Sequence, residues 1–148
     1  MANADAVGQL YLDSFGQGRL ATITATKINT SGNAVLVLPF LGGGLTKGNS
    51  TVTSGDVIIR RITVCNPSGS VASGNISISS TSDGANLVTA NTVLSSISGA
   101  VTFQDIAITS GNVLVSGFNS QALFVNVNTV SGNDNTVDIR VYGDVVSF

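Results

Sequence analysis

Strict two-residue alternation of apolar and polar side chains recurs along this chain, and it restricts the fold more than any motif does. In NTVDIRVYGDVV (135–146), Val137, Ile139 and Val141 fall on one side of an extended backbone. Asp138, Arg140 and Tyr142 fall on the other, because successive side chains of a strand point to opposite faces. ALFVNVNTV (122–130) repeats the pattern, with Leu123, Val125 and Val127 facing away from Phe124, Asn126 and Asn128. GNISISS offers Ile76 and Ile78, and RLATITATK offers Ala21, Ile23 and Ala25. Further strands are expected near 33–40, 57–65, 86–89, 101–108, 112–116 and 144–148. No stretch carries a 3.6-residue period with caps, so no helix longer than about two turns is expected.

Composition agrees with that pattern. All eight acids are aspartates, and the chain has no Glu and no His. Val, Ile, Thr, Ser, Asn and Gly dominate, which are strand and turn residues. Ser-Gly-Asn recurs at 31–33, 73–75, 110–112 and 131–133, with Asp83-Gly84 besides. Gly and Asn enter the left-handed region cheaply, so these are turns between strands. Eight or more short strands at intervals of about ten residues describe an all-β sandwich or barrel. The spacing of the turns is unequal, which excludes a fixed-period solenoid.

VIIRRITVCNPSGS (57–70) sets Arg60 and Arg61 side by side within an apolar run, in a chain only 9% charged. Unbroken alternation would drive one guanidinium into the core. A β-bulge at Arg60–Arg61 avoids this, keeping Val57, Ile59, Ile62 and Val64 inward and both arginines outward. An exterior of Ile58, Arg60 and Arg61 suits a contact surface, since arginine's planar fork pairs well with carboxylates at interfaces. AVLVLPFL (34–41) is apolar at consecutive positions, so both faces of that strand call for cover. One sandwich core covers a single face, and a neighbouring protomer is expected on the other.

Several chemistries are ruled out or weakened by what is present. Without His, a Ser-His-Asp or Cys-His site cannot be built. Asp56, Asp83, Asp134 and Asp144 sit beside Gly or Asn, or in other turn-like settings, which suits capping of backbone amides better than paired catalysis. SGNDNTVD could offer calcium the oxygens of Asn133, Asp134, Asn135 and Asp138, but it lacks EF-hand spacing and reads as a hairpin turn. LGGGLTKG (41–48) is no P-loop. A single thiol, Cys65, makes neither an intrachain disulfide nor a metal site. A net charge of −2 with six basic residues and no Trp argues against nucleic acid. The N-terminus lacks a signal-peptide pattern and no apolar run is long enough to span a bilayer, so synthesis in a cytoplasm and no membrane partner are expected.

From residue 57 onward the strand order and texture, with NPSG (66–69) and VYGDV (141–145) as landmarks, resemble the small jelly-roll decoration (cement) proteins of tailed bacteriophage capsids. The resemblance covers about the last ninety residues. It implies a jelly-roll antiparallel β-sandwich over 19–148 and a homotrimer on the outer face of the virion. There it would bridge neighbouring major capsid subunits and reinforce the shell, with no enzymatic activity and no cofactor. The alternatives are a phage tail or fibre component and a carbohydrate-binding module. The resemblance names no binding residue. From the residues alone, 1–18 are expected to form an extended N-terminal arm. It would be anchored on a partner by Leu10, Leu12 and Phe15, with Arg19, Arg60 and Arg61 adding polar interface contacts.

Overall fold

The structure is a computed structural model that describes residues 18–39, 45–47, 50–52, 56–109, 113–116 and 122–146. Eleven strands follow in chain order: β1 (Gly18–Lys27), β2 (Gly32–Pro39), β3 (Leu45–Lys47), β4 (Ser50–Val52), β5 (Asp56–Cys65), β6 (Asn75–Ser79), β7 (Thr92–Val93), β8 (Gln104–Ile106), β9 (Val113–Ser116), β10 (Ala122–Thr129) and β11 (Thr136–Val146). Among the described residues there is no helix. One antiparallel sheet runs β1-β11-β5-β8, with β9 also on β5; a second runs β2-β10-β6-β7; β3 and β4 pair with each other. The two larger sheets share one apolar core, giving a β-sandwich arrangement.

Outside β1 the inward-facing residues are those the alternation marks; on β1 Ala21 is buried, but the slip after Ile23 leaves Ala25 exposed and buries Thr26 in its stead. Val137, Ile139 and Val141 of β11 and Leu123, Val125 and Val127 of β10 are buried, as are Ile76, Ile78, Ile62 and Val64. The pairing is nested: β1 lies against β11, β2 against β10, β5 against β8 and β6 against β7. The chain therefore winds as a doubled-over ribbon whose outermost partners are its first and last described strands.

Where the pattern needs an odd residue, the ladder slips. Tyr142 opposes Arg61 and the next residue, Gly143, opposes Ile59, so Arg60 is the extra residue of a bulge. Arg60 is exposed and Arg61 half-buried, while Ile59 and Ile62 stay inside. The strand tolerates this because Gly143 lets the backbones close up: a Cβ there would collide with the Ile58 carbonyl oxygen. Two further slips, in β1 and β2, place Ala25 (φ 49°) and Ala34 (φ 50°) in the left-handed region, which L-residues other than Asn and Asp visit rarely. Each is held by a side chain of the next strand. Ala25 N–H donates to Asp138 Oδ1 at 2.9 Å, and Ala34 N–H donates to Asn126 Oδ1 at 2.9 Å.

Not every expected strand forms. Residues 86–89 contribute only two isolated bridges, Ser79–Leu87 and Thr89–Ile108, and 101–108 shortens to β8. The expected strand at 144–148 is instead the end of β11, which reaches Val146. Within the 41–48 segment, Leu45–Lys47 form β3.

Candidate interface on the arginine-bearing sheet

Five of the six basic residues, Arg19, Lys27, Arg60, Arg61 and Arg140, lie on β1, β5 and β11 of a single sheet. The β2-β10-β6-β7 sheet contains no charged residue in any of its strands. Of the two larger sheets, one thus carries the charge, and the sixth basic residue, Lys47, lies on β3.

The pair from the sequence reading engages carboxylates of its own chain. Arg60 Nε donates to Asp144 Oδ2 at 2.8 Å, and Arg61 Nε to Asp105 Oδ1 at 3.1 Å. Asp105 also accepts the Thr63 hydroxyl at 2.5 Å, so β8 is stitched to β5 through side chains as well as backbone. Asp144, expected from its neighbours to cap a turn, lies within β11 instead, and its pairing with Arg60, like that of Asp105 with Arg61, was hidden from the sequence because each lies more than 40 positions from its arginine. Such half-exposed pairs are worth about 0–1 kcal/mol each. Arg60 is therefore anchored in place at the bulge and still presented to solvent. Arg19 opposes Tyr142, which in turn opposes Arg61, so the three form one row across the sheet. Leu10, Leu12 and Phe15 lie outside the described residues.

Between this row and the loop before β8 opens a depression of about 480 Å³. Arg61, Thr63, Cys65, Arg140 and Tyr142 form its sheet side, and residues 100–103 its opposite rim. Val101 is 97% exposed and Phe103 59%, the two most exposed large apolar side chains described. The rim is braced: Thr102 Oγ1 donates to the Gly99 carbonyl at 2.7 Å, while the Gln104 side chain accepts from Ser96 N–H and donates to the Val93 carbonyl. Burial pushes the Cys65 thiol above its ordinary value, with Arg140 offsetting part of the effect, so it is a protonated thiol at neutral pH. For Arg140, burial works against the charge, but Cys65 and Tyr142, anionic at the high pH where an arginine titrates, together with Asp138 outweigh it and hold the group above its ordinary value. A protonated thiol is a weak nucleophile.

The oxygens considered for calcium are turned to other tasks. Asp134 pairs with Lys27 at 3.3 Å and accepts from Asn29. Asp138 accepts from Ala25 N–H, Asn66 Nδ2 and Arg140 Nη2. Asn133 and Asn135 both donate to the Ser70 carbonyl at 2.9 Å, clasping two loops together around Gly132 (φ 76°). Among the described residues, no group of three or more Cys, Asp, Glu or His side chains gathers as a metal site would require.

The chain matches no family model, no curated protein and no solved structure.

Proposed function

We propose that the chain is a jelly roll and serves as a structural virion protein. It decorates the outer face of a tailed-phage capsid as a homotrimer, bridging neighbouring major capsid subunits without catalysis. The observation that carries the reading is the nested strand pairing, first with last and second with second-last, split between a β1-β11-β5-β8 sheet and a β2-β10-β6-β7 sheet. Two interlocked Greek keys, as in viral capsid and lectin domains, would pair their strands in this nested order. Since a fold hosts many functions, the choice among them rests on the surfaces.

Two surface features support a packed, oligomeric setting. The strands of one sheet are free of charge, and on its outer side Val37, 48% exposed, stands opposite Phe124 in the β2–β10 ladder. Apolar surface of this kind is what a neighbouring subunit covers. The other sheet presents arginines already fixed by carboxylates, which lowers the entropy lost when they meet a partner.

Quantitative mass spectrometry of purified virions tests the function directly. Decoration requires a copy number comparable with that of the major capsid protein. A handful of copies per particle would reassign the chain to the tail, and absence from particles would end the reading. Sedimentation equilibrium at micromolar concentration tests the trimer.

A further inference from the structure

The polar groups of the groove share one hydrogen-bonding bias. Its guanidinium groups are already met, Arg61 by Asp105 and Arg140 by Asp138, so their charge is balanced before any ligand arrives. Three further lining groups have each given a hydrogen to the protein. Thr63 Oγ1 donates to Asp105, Thr102 Oγ1 to the Gly99 carbonyl, and Asn66 Nδ2 to Asp138. A hydroxyl that has donated keeps its acceptor lone pairs, and an amide keeps its carbonyl oxygen. The oxygens of Thr63, Thr102 and Asn66 therefore call for a ligand that brings hydrogens of its own. An ionised carboxylate brings none and would set its lone pairs against theirs.

The rest of the wall is apolar. Pro67, Ala100 and Val101 line it, and Phe103 stands 59% exposed on a loop braced by Thr102 and Gln104. A ring held open to solvent on a braced loop loses little freedom when something packs on it. The volume of about 480 Å³ falls inside the span of roughly 300–1,000 Å³ usual for small-molecule sites. Many hydroxyl donors, no charge and an apolar C–H face occur together in neutral sugars.

We propose that this groove binds a neutral oligosaccharide, with Phe103 packed on the C–H face of one ring and sugar hydroxyls donating to Thr63, Thr102 and Asn66. The site is built within one chain, so it depends neither on the virion reading nor on the trimer.

The test uses the isotope-labelled full-length chain, followed by amide resonances. It would be titrated to about 5 mM with maltohexaose, mannohexaose, galactohexaose and chitotetraose, and with hexagalacturonate as the charged counterpart. At least one neutral sugar should shift the amides of Thr63, Cys65, Thr102 and Phe103 and leave Ile78 and Val125, on the other sheet, unmoved. Phe103→Ala should weaken that binding about ten-fold, and Phe103→Trp should retain or tighten it. Because the side chain is exposed, both variants should keep the wild-type thermal midpoint. Added salt should leave the affinity unchanged, since the ligand carries no charge. Binding of hexagalacturonate alone, or affinity that falls with salt, would overturn the neutral ligand. Absence of shifts with every neutral sugar, or binding undiminished in Phe103→Ala, would overturn the site itself. A chain that binds sugar here but is missing from virions would end the decoration reading and leave this one standing.

Discussion

Asp138 shows how much one side chain of this molecule holds. It lies in β11 on the polar side of the alternation, and its carboxylate gathers the Ala25 amide, the Asn66 side chain and the Arg140 guanidinium. Two of those partners sit at left-handed backbone positions, Ala25 and Asn66, both at φ 49°. Asp138→Ala leaves them unsupported and should cost about 2–3 kcal/mol in urea unfolding, above the usual value for one hydrogen bond. Gly143→Ala attacks the same sheet by a different route, since the new methyl meets backbone rather than a movable side chain. It should cost about 3 kcal/mol or more, at or beyond the upper end for overpacking, and lower the thermal midpoint accordingly. Asp83 reports on pH. The Thr81 hydroxyl and then the Ala85 amide donate to its carboxylate and hold it below the ordinary aspartate value. A depressed folded value means the turn's support is complete above the unfolded value and is lost as pH falls through the folded one. The Ala85 amide resonance should therefore titrate with a midpoint below that of a free aspartate, about 3.9. A midpoint at or above it would contradict the hydrogen bonds.

At the scale of strands, legibility followed length. β1, β2, β5, β10 and β11 each run eight residues or more and are visible in the sequence, β1, β10 and β11 as alternation and β2 and β5 as apolar runs. β7 and β8 have two and three residues, too few for a period to appear, and they exist because β6 and β5 offer an edge. The bulge at Arg60 was legible for a physical reason, because two adjacent charges in an apolar strand leave no other inexpensive solution. The bulges around Ala25 and Ala34 were not, since alanine carries no turn signal and the stabilising groups, Asp138 and Asn126, are about a hundred residues away. Sheet order also sets local stability. β11 and β5 are interior to their sheet, whereas β7 is a two-residue edge. Hydrogen exchange should be slowest at Ile139–Val141 and Ile62–Val64 and fastest at Thr92–Val93 among the strands. Equal protection of β7 and β11 would be incompatible with this order.

For the whole molecule, the sequence disclosed the class of fold and left the groove hidden. The groove is assembled from β5, β11 and the loop at 100–103, and neither Tyr142 nor Phe103 stands out in the linear chain. No local pattern reports that a residue will face another forty or eighty positions away. The segregation of charge to one sheet was equally invisible, because strands of the two sheets alternate along the chain. That same nesting has a consequence for biosynthesis. β11 lies between β1 and β5, so the middle of one sheet is the last described strand to be made. Gly18 must find Gly143, a partner 143 − 18 = 125 positions later, before that sheet has a continuous interior. Long-range closure of this kind is slow, and until it happens β1 and β5 each present an unpaired, apolar edge. During synthesis the chain must wait with its first strand exposed for its last, and sparing use of long apolar runs, broken by Ser, Asn and Gly, is what keeps such a wait from ending in aggregation.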